Sequence, residues 1–271
     1  MGTGIVAGLW MVGMLRSMAP MVADTPTVRL DAAELAKRLA AATDNAPPDL
    51  AGVNLSGLDL TGVNFKGANL TGAWLTGTKL AGANLFSCDL TDAVASDAVL
   101  TKANMDGTVL RRADFQRANM EGASLFATIL EMTNLAGANL GGTRIIGYLR
   151  SANLAGASLR NSNAGADPGN QSMGVMRATF VGADLTDADL SGANLYKADF
   201  SHATLIGAKL QGANLENSDL VQTDFSRADL TGARLANSNI EGAIFRGATG
   251  VSRTQGLDRA RNRDKAIFDD S

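Results

Sequence analysis

The feature that most constrains this chain is a five-residue period. From about Asp49 to about Ala248 an apolar residue returns at nearly every fifth position, as at Leu55, Leu60, Phe65, Leu70, Leu75, Leu80, Leu85 and Leu90. A helix would place apolar residues three and four apart and a strand would place them two apart, so a strict five fits neither alone. The chain must therefore turn once in every five residues. The residue two before each apolar centre is small (Ala68, Ala73, Thr78, Ala83, Cys88), so both alternate positions can point inward as in a strand. Between them sits Asn or Asp, as at Asn54, Asp59, Asn64 and Asn69, which faces outward. Two after the centre comes Gly, as at Gly57 and Gly72, which supplies the positive φ of a tight turn. Each pentad is one short edge and one corner.

Runs such as Ala68-Asn69-Leu70-Thr71-Gly72, Ala193-Asn194-Leu195 and Ala228-Asp229-Leu230-Thr231-Gly232 resemble the pentapeptide-repeat family, whose pattern is A(D/N)LxX. The resemblance covers about three-quarters of the chain, residues 49–249. It implies an all-β fold, a right-handed quadrilateral β-helix with four pentads to a coil and Leu and Phe stacked inside. At a strand spacing of ~4.8 Å, about nine to ten coils make a solenoid about 45 Å long. Side chains twenty apart are then neighbours, and Arg111 with Glu131 and Asp97 with Arg117 carry opposite charges. Such surface pairs contribute under ~1 kcal/mol each.

The ends differ from the array. Residues 1–23 form an apolar leader in which Arg16 interrupts the run from Ile5 to Leu15, too early for a stable membrane span. Its length suits a signal-peptide core, although no Lys or Arg precedes it. The reading is an exported, periplasmic protein if 1–23 are a signal peptide and a cytoplasmic one otherwise. Residues 24–48 read as a linker and an N-terminal capping helix. Asp31 and Glu34 make a capping box, Leu30 and Leu35 a hydrophobic staple, and Pro47-Pro48 ends the element. Residues 250–271 read as a C-terminal cap after the period stops at Ala248, with Leu257, Ile267 and Phe268 laid on the last coil. The resemblance implies that a homodimer through this end is one available arrangement.

Three flaws interrupt the repeat. Ala95 stands where a central Leu is due, which predicts a thin spot or a kink. The frame loses one residue between Ile145 and Leu154. Near 165–176 the pattern is broken by Asp167-Pro168-Gly169-Asn170, whose turn chemistry predicts a loop projecting from the rod.

The residue inventory argues against an enzyme and calls for no cofactor or metal. His202 is the single histidine and falls at a corner; Cys88 is the single cysteine and falls at a small inward position. One of each cannot close a zinc site, and the glycines follow the pentad instead of forming a phosphate loop. The resemblance also implies a DNA-mimicking alternative, because some family members imitate B-DNA and bind DNA gyrase, protecting it from quinolones. A 45 Å mimic of a duplex with one charge per ~1.7 Å needs roughly 26 negative charges. Residues 49–249 hold 19 acidic and 15 basic side chains, which disfavours mimicry, and a net charge of -3 over the whole chain gives no reason to expect direct nucleic-acid binding.

Outward apolar residues are the remaining lead. Trp74 replaces the usual Asn or Asp with Val94 one coil on, and Phe86 and Phe126 lie two coils apart on one face with Ile146 a further coil along. Together with Asp167, Pro168, Gly169 and Asn170 of the loop they form the candidate contact surface. The sequence thus reads as a non-enzymatic structural or protein-interaction scaffold with a protein partner.

Overall fold

A computed structural model describes residues 28–43, 46–166 and 176–269. The leader 1–23 and the four candidate loop residues Asp167, Pro168, Gly169 and Asn170 lie outside the described residues. The outward residue of each pentad bridges, in parallel, the one twenty positions on: Asp49 with Asn69, Asn54 with Trp74, Asp59 with Lys79, Asn64 with Asn84. Four such columns make four faces. The first runs through Asp49, Asn69, Asp89 and Val109, the second through Asn54, Trp74 and Val94, the third through Asp59 and Lys79, and the fourth through Asn64, Asn84 and Asn104.

Each rung is tied by backbone bonds such as Leu70 N donating to Asp89 O at 2.7 Å and Trp74 N to Val53 O at 2.9 Å. Asn and Asp do more at the outward position than face water. Their side-chain oxygens accept from the amide two residues on, as Asn54 does from Ser56 at 2.9 Å and Asp189 from Ser191 at 3.0 Å, closing the corner locally. In the uninterrupted pentads the corner residue is left-handed, with φ +64° at Gly72 and +56° at Arg112. Only glycine takes that conformation without a cost of roughly 1–2 kcal/mol. Inside, the centres and the small residues two before them are buried together in one continuous core from Leu30 to Phe245. Thr fits the small position because its hydroxyl finds a carbonyl, as Thr78 Oγ1 does on Leu55 at 3.0 Å.

At the N-terminal end, strand β1 (Val28–Arg29) pairs in parallel with β2 (Val53–Asn54). Helix α1 (Ala32–Ala41) follows, and Asp31 accepts from the Glu34 amide at 2.8 Å. Leu35 and Leu39 are buried in the common core, and Lys66 Nζ donates to the Leu39 carbonyl at 2.9 Å, where the helix leaves carbonyls unpaired.

The flaws resolve differently from one another. Ala95 causes no kink: Trp74, Val94 and Asp114 stay in one ladder, and Ala95 N reaches Asp114 O at 2.7 Å. Bulk returns one coil on at Phe115, which is fully buried. The lost residue deletes a corner. Strand β3 (Ser124–Ile129) pairs with β4 (Arg144–Tyr148), Phe126 opposing Ile146 but Thr128 opposing Gly147, so that Ala127 is left as a bulge. Ile146 therefore does not continue the outward line of Phe86 and Phe126; it is only 2% exposed. Gly147 is required there because a Cβ would sit 2.3 Å from the Thr128 carbonyl oxygen. The third flaw is an insertion at one corner. Asn163 and Thr179 are sixteen positions apart where Asn84 and Asp89 are five, so eleven residues are added, yet Tyr148 still pairs with Thr179 and Asn163 with Asn194.

The period does not stop at Ala248 but lengthens to six. Thr249, Gln255, Arg261 and Ile267 continue the four ladders, bridging Asp229, Arg234, Asn239 and Ile244. Each corner between them opens on a left-handed residue (Gly250, Gly256, Asn262) followed by a 3-10 turn, Val251–Arg253, Leu257–Arg259 and Arg263–Lys265. Leu257 packs against the core as expected. Ile267 does not: it occupies the outward rung position and is 39% exposed. Phe268 beside it turns inward and stacks on Phe245 at 5.0 Å, which stacks on Phe225 at 5.1 Å.

Candidate interaction surface

The corner between the fourth and first faces carries Phe86, Asp106 and Phe126 in successive coils, each following the fourth-face centre. Phe86 is 53% exposed. Phe126 is half-buried beneath the Arg144 guanidinium, 4.2 Å from the ring centroid. Asp106 separates the two rings and is turned toward the rod, accepting from the Phe126 amide at 2.9 Å and the Ser124 hydroxyl at 2.5 Å. The insertion leaves the rod at this same edge. Its base is held by Ala166 N on Tyr196 O at 2.8 Å and by Arg177, which reaches Asp199 at 3.3 Å and Asp219 at 2.8 Å. Arg261 approaches the other oxygen of Asp219 at 3.7 Å, and Arg177, Asp219 and Arg261 line a shallow cavity of about 590 Å³ together with Lys197, Asn217 and Asn237.

Trp74 is not part of this edge. It lies on the second face, half-buried in its ladder between Asn54 and Val94. Sequence reasoning missed a different group: Val109, Ile129 and Tyr148 stand in consecutive coils of the first face, next to Phe126, with Met132 exposed at the following corner. The signal was present, since Val109 and Ile129 occupy the Asn or Asp position of their pentads. Tyr148 was hidden by the frame change just before it.

The electrostatics are those of a rod whose charges are matched coil to coil. Arg112 pairs with Asp92 at 2.6 Å, Arg117 with Asp97 at 2.7 Å, Arg111 with Glu131 at 3.0 Å and Lys79 with Asp59 at 3.6 Å. The hydrogen bonds from Arg117 hold the Asp97 carboxyl below its ordinary range. Of the nucleophile candidates, Cys88 is fully buried, its thiol pushed up to about 12 by desolvation, and His202 is exposed at a corner with φ +61°. Among the described residues no group of three or more His, Cys, Asp or Glu is placed to hold a metal ion, and no helix is long and apolar enough to cross a membrane.

Among solved structures the chain is similar to HetL, a pentapeptide repeat protein involved in heterocyst differentiation regulation from the cyanobacterium Nostoc sp. strain PCC 7120. The two share 31% identity over 88% of this chain and 99% of that one, with a TM-score of 0.58. It also matches a pentapeptide repeat protein from the Arabidopsis thaliana thylakoid lumen at 31% identity over 38% of this chain and 70% of that one, with a TM-score of 0.29. QnrB1, a plasmid-mediated fluoroquinolone resistance protein, is similar at 17% identity over 80% and 89% of the two chains, with a TM-score of 0.43. No curated protein sequence matches significantly. The family described as pentapeptide repeats matches in eight copies, over residues 49–85, 78–117, 88–125, 103–142, 176–212 and 208–247. With its ladders, its left-handed corners and this match spread over most of the array, the chain belongs to the pentapeptide-repeat family.

Proposed function

We propose that this protein is a non-enzymatic interaction scaffold: a right-handed, four-sided rod of about ten coils, capped by α1 and by the six-residue turns, that presents one edge to a protein partner. The observation that carries the reading is the shared edge between the fourth and first faces. There Phe86 and Phe126 lie two coils apart in line with the corner between Asn163 and Thr179, whose insertion contains Asp167, Pro168, Gly169 and Asn170 in the sequence. A desolvated aromatic flanked by polar groups is the usual anchor of a protein contact. The fully buried thiol of Cys88 and the isolated His202 support the absence of catalysis. HetL, a pentapeptide repeat protein involved in regulating heterocyst differentiation, is similar over nearly its whole length and supports a regulatory, partner-binding role.

The test is capture of native-cell proteins on the immobilised full chain, compared with Phe86→Asp and Phe126→Asp variants of unchanged circular dichroism. The expected result is loss of one captured partner in both variants. An unaltered capture profile would remove this edge from the proposal. DNA mimicry is less well supported, because the acidic columns are interrupted by arginines one coil away. Inhibition of gyrase supercoiling by the purified protein would overturn the scaffold reading in favour of mimicry.

A further inference from the structure

The two ends of the rod are finished differently. At the N-terminal end β1 pairs with β2, Leu30 N donates to Asn54 O at 3.1 Å, and Leu35 and Leu39 of α1 are buried over the core. At the C-terminal end Gln255, Arg261 and Ile267 donate back to Ala233, Ser238 and Ala243, each at 2.8 Å. The groups that would carry these ladders onward are the amides of Gly256, Asn262 and Phe268 and the carbonyls of Thr254, Ala260 and Ala266. They have no hydrogen-bond partner among the described residues, and no described residue after Phe245 is buried. The last rung is an open strand edge. The core is open here too: Val251, Leu257 and Phe268 pack against it but are only partly buried. A shallow cavity of about 400 Å³ is lined by Val251, Leu257, Ser252, Thr254, Asp258 and Arg263.

Three properties select what covers this end. Its sides are five or six residues long, at most ~17–20 Å each, so it offers on the order of 300–400 Å², half or less of the ~800 Å² that each partner gives to a stable interface. That is too little for a second copy and suits a short segment. Free N–H and C=O groups alternate along the open rungs, which an extended peptide backbone matches and a nucleic-acid backbone does not. Charge sets the sign of the segment. Lys265 is held by Glu241 at 2.7 Å and Arg261 lies 3.7 Å from Asp219, but Arg246, Arg253, Arg259 and Arg263 have no ion pair among the described residues. Asp258 and Asp264 are the carboxylates left to oppose them among the described residues from Arg246 onward, because Asp269 accepts from the Gly247 amide at 2.9 Å.

The geometry points to a docking site at the C-terminal end for a short acidic segment of a partner protein, added as an extended strand to the last rung of the fourth face. It pairs with Thr254 O and Gly256 N, sets an apolar side chain over Val251 and Leu257, and places carboxylates on Arg253 and Arg259 at the two flanking corners. The inference rests on the scaffold reading above and adds a second contact surface, separate from the edge that carries Phe86.

The test uses the full chain and three fluorescein-labelled decapeptides: one alternating Glu with Val, one with Lys in place of Glu, and the Glu peptide with every backbone nitrogen methylated. Anisotropy titrations are expected to show the first binding at least ~10-fold more tightly than either of the others, and less tightly as salt rises. Arg253→Glu and Arg259→Glu, both at exposed corners, are each expected to weaken it by ~10-fold, while Lys102→Glu, an equal change of charge far along the rod, leaves it unchanged. Hydrogen exchange gives a second reading, with the Gly256 amide exchanging freely in the unbound chain and slowed in the complex. Equal affinity for the three peptides, affinity unchanged by both arginine variants, or a Gly256 amide left unprotected in the complex overturns the proposal. So does a dimer in sedimentation whose formation protects the same amide. Should the acidic peptide fail while Phe86→Asp still abolishes partner capture, the docking end is wrong and the scaffold stands; failure of both removes the scaffold as well.

Discussion

Replacing Gly147 by Ala tests the frame change directly. Its φ is not in the left-handed region, so the cost is purely steric: the new Cβ would stand 2.3 Å from Thr128 O and 3.2 Å from Thr128 C and N. That is about 1 Å inside the ~3.3 Å at which carbon and carbonyl oxygen normally meet. The obstacle is backbone, so relief means moving the rung in which Thr128 opposes Gly147, and with it the bond from Thr179 N to Gly147 O at 3.0 Å. Overpacking of this kind, with loss of a buried backbone bond worth ~1 kcal/mol, is expected to cost about 3 kcal/mol or more. Gly142 is the control, because it has φ +62° and nothing within 4 Å of its Cβ position. Ala there pays only the left-handed strain of roughly 1–2 kcal/mol. Thermal unfolding followed by far-UV circular dichroism should rank Gly147→Ala below Gly142→Ala, with melting temperatures lowered by about 6–12 °C and about 2–8 °C respectively. If Gly147→Ala is no less stable than Gly142→Ala, the deleted corner has been misplaced.

Three further predictions follow from features at the ends and on the surface. Asp31→Ala removes the acceptor of the Glu34 amide and is expected to cost about 1 kcal/mol, read as faster amide exchange confined to α1; unchanged exchange there would refute the cap. Phe245→Ala empties the middle of the Phe225–Phe245–Phe268 stack and is expected to cost about 3–5 kcal/mol, with trypsin cutting first among Arg253, Arg259 and Arg263; cleavage starting elsewhere would count against a stacked end. Asp97, whose folded pKa is depressed by Arg117, contributes stability that is complete above its ordinary value of 3.8 and disappears as pH falls through the folded value. Asp97→Asn should therefore flatten the acid limb of melting temperature against pH, and identical acid limbs in both proteins would show the pair to be inert.

Much of this architecture was legible because the period is short and its chemistry local. A Leu every fifth residue, a small residue two before it and a Gly two after it dictate edge and corner, and a spacing of twenty brings Arg111 to Glu131 and Arg117 to Asp97. What escaped depends on contacts between coils. Whether Ile146 faces out or in is decided by which residue the shortened coil drops, and that is settled by the approach of Gly147 to Thr128. The six-residue corners after Ala248 were unread because their inward positions no longer spell Leu, although Gly250, Gly256 and Asn262 mark them. The strip of Val109, Ile129 and Tyr148 was unread for a simpler reason: two valid apolar substitutions at the outward position look like strand residues until they are seen on one face.

The deleted corner and the inserted one occur within a single turn of the rod, between Ile145 and Thr179. In a solenoid each coil is held only by its neighbours, so cooperativity passes along the axis through whatever the weakest contact transmits. This turn is consequently a seam between two blocks, one ending near 142 and one beginning near 176. Drawn by its two ends, the rod would part here first, as a fuse does, leaving both blocks folded.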